Sequence, residues 1–144
     1  RIKTMENEEL NIGIQMIDGE HILTKMFLYF AQIHSNQLEY DDNRKIAKTI
    51  TINILDFIFT KEMKYHSRMI LKEEELEDTL KNYLEIHIIE LPKFKLNSNK
   101  IMTLKETWIT YLKGENIEKA IKKSEKIAKL DNLLKKYWRE EVME

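Results

Sequence analysis

Residues 49–60 read Thr-Ile-Thr-Ile-Asn-Ile-Leu-Asp-Phe-Ile-Phe-Thr. The run is rich in β-branched and aromatic residues, and locally it reads as strand. Over a longer window Ile46, Ile50, Ile54 and Ile58 recur every four residues, the spacing of one helix face. That spacing and the length of the pattern favour a helix, running from caps at Asp41, Asp42 or Asn43 to about Lys72 and carrying Met63, Tyr65, Met69 and Ile70. The fold class turns on this choice, and the helical reading makes the chain all-α.

The flanking sequence agrees with that reading. Residues 1–16 are weakly patterned and form an extended arm. Asp18 is a good N-cap, with Ile17 and Ile22 at hydrophobic-staple positions, and a helix from about Gly19 to His34 is apolar over most of its circumference. Beyond Lys72, a helix capped by Asp78 or Thr79 carries Leu80, Tyr83, Leu84, His87, Ile88 and Leu91, and ends or kinks at Pro92. Asn97, Ser98 and Asn99 introduce a helix over about 100–113 that stops at Gly114, and Asn116 caps a last helix to about Met143. Ile121, Leu134 and Trp138 are its expected buried residues. With 3 Gly and 1 Pro in 144 residues, an all-β fold with frequent turns is excluded. The expectation is one domain over 1–144: an up-down-up-down four-helix bundle over about 17–113, with an N-terminal arm and an additional C-terminal helix over about 116–143.

Composition bounds the function. The 24 basic and 25 acidic side chains leave a net charge of −1, with no bulk basic excess for a phosphate backbone, so nucleic acid is not expected as a partner. The chain has no Cys, which excludes disulfides, thiolate metal sites and cysteine nucleophiles and fits a reducing, cytoplasmic setting. No apolar window of about 18 residues is present, so no transmembrane segment is expected. No signal-peptide pattern opens the chain, and Arg1 in place of Met reads as a terminus trimmed or cut from a longer polypeptide. No Ser/His/Asp set and no Gly-rich phosphate loop is visible, and no matched acid–base pair emerges, so the chain reads as not an enzyme.

The four histidines are His21, His34, His66 and His87. The segment Leu10–His21, L-N-I-G-I-Q-M-I-D-G-E-H, resembles the opening of the bacterial hemerythrins (HHE cation-binding domains) at Gly13, Ile14, Ile17, Asp18 and His21. Leu55-Asp56-Phe57, Met69 and Trp108-Ile109 resemble later parts of that family, and the likeness covers roughly residues 9–113. The resemblance implies a four-helix bundle holding non-heme iron. Most of the family's ligands are replaced here: His21 matches, Glu62 and His66 match after a one-residue shift and in reversed order, Tyr83 stands for one His beside His87, and the fourth helix has no His. The implied metal ligands are His21, Glu62, His66 and His87, with Tyr83 or Tyr111 as an added phenolate or hydrogen-bond partner. They suit iron, zinc or manganese, with dioxygen or nitric oxide as a further ligand. A reversible di-iron oxygen carrier is not encoded. The alternative is a metal-free bundle that works as an interaction or regulatory module, through helix-mediated self-association or a protein partner. His34, at a helix end among polar residues, reads as a solvent-exposed cation.

Overall fold

The computed structural model describes residues 2–3, 9–38, 46–71, 84–97 and 100–142. The chain divides into two units, residues 1–93 and 94–144. The first unit is α/β, which overturns the all-α bundle. Its strands are β1 (Ile2–Lys3), β2 (Glu9–Ile17), β3 (Lys48–Leu55), β4 (His66–Ile70) and β5 (Leu84–Glu90), and its helix is α1 (Ile22–Ser35). They form one sheet in the order β1-β2-β3-β5-β4. β2, β3 and β5 run parallel, and β1 and β4 pair antiparallel at the two ends. Parallel neighbours need a crossover, and α1 supplies it between β2 and β3.

The run at 49–60 is therefore strand for its first seven residues. The reason is physical. A spacing of four is also twice the strand period of two, so Ile50 and Ile54 share one face of β3 as well as they would share a helix face. Thr49, Thr51, Asn53 and Leu55 take the other face, and all four are buried. The strand does alternate, but in the inverted sense: the polar Thr49, Thr51 and Asn53 line the fully buried face, and Lys48, Ile50 and Ile52 the partly covered one. Four of its eight residues are Ile or Leu, and β-branched side chains fit the pleat. The expected helix over 78–91 is likewise β5, with Leu84, Ile86, Ile88 and Glu90 on one face and Glu85, His87 and Ile89 on the other. The proposed caps Asp41, Asp42, Asn43, Asp78 and Thr79 lie outside the described residues.

The expected first helix is present as α1, shorter and less buried than its composition suggests. Its N-cap is His21, in a left-handed conformation at φ 54°, and Asp18 instead forms an ion pair with Lys25. Met26 is fully buried, whereas Leu23, Phe27 and Leu28 are half or more exposed. α1 lies close on β2: a Cβ built at Gly13 would collide with Ile33 Cδ1 and stand 2.9 Å from Tyr29 Oη. The core between α1 and the sheet is Ile17, Met26, Leu55, Ile86 and Ile88. Polar pairs flank it. Asn11 Nδ2 donates to the Ile33 carbonyl at 2.9 Å, and His34 Nδ1 stands 2.6 Å from Thr49 Oγ1. Gln37 exchanges hydrogen bonds with the Ala47 backbone at 2.9 and 3.1 Å. His34 is thus half-buried against β3, not a solvated cation.

The second unit is helical: α2 (Leu104–Lys113), α3 (Ile117–Lys123) and α4 (Glu125–Val142). α2 ends at Gly114, φ 80°, as the sequence predicts, but it opens at Leu104 on a reciprocal capping box between Thr103 and Glu106, not at about Lys100 after the Asn97, Ser98 and Asn99 cluster. The single last helix expected from 116 is broken at Ser124, whose backbone is extended. Ala120 and Ile127 are its fully buried residues; Ile121 is partly covered, Leu134 is 41% exposed, and the Trp138 side chain lies outside the described set.

A buried ion pair closes the first unit. Glu90, fully buried at the end of β5, accepts from the Phe59 and Thr60 amides at 2.6 and 2.9 Å and from the Thr60 hydroxyl at 2.9 Å. Lys93 donates to Glu90 Oε2 at 2.9 Å and to the Thr60 carbonyl at 2.8 Å. Burial raises the Glu90 carboxyl, but the Lys93 ammonium and the Thr60 and Phe59 donors hold it below the usual carboxylate range. Removing one partner of a buried pair strands the other charge. Lys93→Met is expected to cost about 3–5 kcal/mol of stability, read as a lowered urea midpoint with an unchanged slope.

Candidate functional site

The sheet face opposite α1 carries an ionic cluster. Alternation and register place Lys48 on β3, Glu85 and His87 on β5, and His66 and Arg68 on β4 on that face. Arg68 and His87 are direct cross-strand partners. Glu85 is the hub. Its Oε2 accepts from Lys48 Nζ at 2.6 Å, and Arg68 grips both oxygens, Nε on Oε1 at 2.7 Å and Nη2 on Oε2 at 3.0 Å. His87 Nε2 stands 2.7 Å from Oε1. Burial raises the Glu85 carboxyl, but the hydrogen bonds from Arg68, Lys48 and His87 outweigh it and bring it down to about 2.

His66 Nε2 lies 2.7 Å from His87 Nδ1, with ring centroids 5.0 Å apart. The ionised Glu85 carboxylate can only accept, so His87 Nε2 carries a proton. In a neutral ring Nδ1 is then the acceptor, and His66 Nε2 donates to it. In that tautomer the three groups form a directed chain, His66 to His87 to Glu85. With both rings neutral, Lys48, Arg68 and Glu85 sum to a positive charge. Arg68 is 55% exposed, and its Nη1 has no partner among the described residues.

The four residues expected from sequence are not gathered in one place. His66 and His87 meet on neighbouring strands. His21 is exposed in the turn before α1, and Glu62 is exposed in the segment between β3 and β4. Tyr111 belongs to the second unit, where it donates to Asp131 Oδ1 at 3.1 Å, and Tyr83 lies outside the described residues. Glu85, Lys48 and Arg68 were missed. The one available signal was Glu85-Ile86-His87, two polar groups two apart inside an apolar run, which share a face on a strand.

A family model described as PD-(D/E)XK nuclease family transposase matches residues 1–143. The chain belongs to that family. No curated protein and no solved structure matches it significantly. Membership replaces the hemerythrin resemblance and its iron and diatomic gas; of the segments that carried it, Leu10–His21 lies on β2 and the turn after it, Leu55 ends β3, Met69 lies on β4 and Trp108-Ile109 on α2. It also overturns the expectations of no enzyme and no nucleic acid, because a nuclease-family transposase acts on nucleic acid. Net charge near zero misled here, as the average over the chain hides local excess. Among the described residues no helix is long and apolar enough to cross a membrane.

Nucleases of this family typically use divalent metals such as magnesium or manganese. These are hard cations that want several oxygen ligands. The described residues do not fit one. Both Glu85 oxygens are engaged by cations, and no group of three or more His, Cys, Asp or Glu is placed to hold a metal among those residues. The motif spelled in the family's name is also thin. Pro92, the one proline, precedes Lys93 rather than Asp, and the one Glu-x-Lys, Glu62-Met63-Lys64, is exposed and off any strand.

The cluster has a pH signature. A carboxyl lowered from 4.5 to about 2 stabilises the fold fully above pH 4.5, and that contribution is lost as pH falls from 4.5 toward 2. Glu85→Gln is expected to remove this part of the acid limb and to lower stability at neutral pH, where Lys48 and Arg68 lose their counter-charge. Thermal melts of both proteins across that pH window check it, and parallel acid limbs would refute the assignment to Glu85.

Proposed function

We propose that this chain is a DNA-acting domain of a nuclease-family transposase that holds the sugar–phosphate backbone with cationic side chains. The observation that carries this reading is the family match over residues 1–143. The local electrostatics support it. A phosphodiester carries one negative charge, and the Lys48, Arg68 and Glu85 set holds a positive excess on the sheet face opposite α1, where Arg68 is 55% exposed. Glu85 fixes the Arg68 guanidinium by two hydrogen bonds and leaves Nη1 directed elsewhere, and a planar fork of donors suits phosphate. Glu85 acts here as a positioning residue for Arg68. Phosphodiester hydrolysis is the chemistry that membership implies, and positive charge beside the reacting phosphate favours a transition state that spreads negative charge over its oxygens.

Binding through Lys and Arg needs no metal. Affinity for a labelled DNA duplex, measured by fluorescence anisotropy, is expected to survive EDTA and to fall steeply with salt, because each neutralised phosphate releases counterions. No binding at protein concentrations up to about 10⁻⁴ M, the weak end of the non-specific range, would refute the reading. Nicking of plasmid DNA with magnesium or manganese, abolished by EDTA, is the outcome that membership implies. Binding without nicking keeps the DNA reading and removes cleavage.

A further inference from the structure

The two units differ in charge. Residues 1–93 hold 12 basic and 17 acidic side chains, whereas residues 94–144 hold 12 basic and 8 acidic. Within the second unit the excess is concentrated. Lys119, Lys122 and Lys123 on α3, and Lys126 and Lys129 on α4, are all exposed. Residues three or four apart share a helix face, so 119, 122 and 123 form one group and 126 and 129 another. Both helices turn Ala120 and Ile127 inward, fully buried, which fixes the lysines on the solvent side.

An ordinary solvated helix face intersperses acids that pair with its lysines. This one does not. Glu118 and Glu125 are the carboxylates within residues 117–129, and although each stands four before a lysine, neither forms an ion pair among the described residues. Ion pairs among the described residues of this unit use other lysines, among them Lys113 with Glu115 at 3.4 Å and Lys135 with Asp131 at 2.6 Å. None of the five has a carboxylate partner among the described residues. Five exposed ammonium groups against two carboxylates on one short stretch set up a local positive potential in a chain whose net charge is −1.

We infer that the α3–α4 lysine face is the principal phosphate-contacting surface of this protein, and that its occupant is duplex DNA. The inference rests on the DNA reading above and adds the surface that would carry it. Lysine is a mobile point charge that follows a phosphate backbone without reading base edges, so this surface would bind independently of sequence.

The test uses the full chain, a fluorescein-labelled duplex and anisotropy titrations from about 50 to 200 mM salt. K119E/K122E/K123E is expected to raise Kd roughly tenfold or more and to flatten the plot of log affinity against log salt by about 0.9 for each phosphate no longer neutralised. E118K/E125K is expected to move both quantities the other way. The far-ultraviolet spectrum of each variant should match wild type, since every changed side chain is exposed, and the melting temperature should fall modestly in both, because Glu118 and Glu125 stand in first helical turns and Lys122 and Lys123 in the last turn of α3. A triple variant that binds like wild type, with the same salt slope, overturns this surface while leaving the DNA reading intact. A wild type that does not bind overturns the DNA reading, and the surface with it.

Discussion

Asn53 is fully buried in β3, where its side chain accepts from Gln15 Nε2 on β2 at 2.7 Å and donates to the His87 carbonyl on β5 at 3.1 Å. Three parallel strands are pinned by one amide. A slip of one residue in any of them would send every side chain to the wrong face, because the strand period is two. It would also leave buried amide groups unpaired, and among the described residues no buried side-chain nitrogen or oxygen lacks a partner. The register that Asn53 protects is what sets Lys48, Glu85, His87, Arg68 and His66 on one surface and Leu55, Ile86 and Ile88 under α1. A neutral hydrogen-bond network inside the sheet thus positions an ionic one outside it.

Helices were readable where caps and spacing act together. Gly114 ends α2 where expected and the apolar pattern of α1 is long enough to resist other readings, while the starts were misplaced: Thr103 with Glu106 caps α2 and His21 stands at the N-cap of α1 in place of Asp18. The centre of the sheet was not readable, because Ile46, Ile50, Ile54 and Ile58 satisfy two periods at once and that longer spacing outweighed the Thr-Ile-Thr-Ile-Asn-Ile alternation of residues 49–54. The histidines show a related ambiguity. His66 and His87 do meet, but on adjacent strands rather than adjacent helices. A helical spacing does not bring Glu85 to the same face as His87, so the hub of the cluster went unnoticed. The Leu10–His21 string resembles a helix opening and is in fact the end of a strand with a turn, since a handful of Gly, Ile, Asp and His positions suits either.

The family itself was hidden for a chemical reason. Its named motif is short, and this chain retains one Glu-x-Lys outside a strand and no Pro-Asp. What identifies it is agreement spread over residues 1–143, each position contributing little, which neither composition nor a local pattern captures. Charge behaved the same way: summed over the chain it nearly vanishes, while resolved into two units it separates a net acidic first unit from a net basic second one.

The close seat of α1 on Gly13 has an evolutionary consequence. The space a Cβ would need is already filled by Ile33 and Tyr29. Both obstacles are side-chain tips, so a side chain at position 13 requires the Ile33 end and the Tyr29 hydroxyl to turn away, and that hydroxyl also donates to the Ile14 carbonyl at 3.0 Å. A change at position 13 is therefore coupled to positions 29 and 33, and among descendants of this chain the three are expected to vary together.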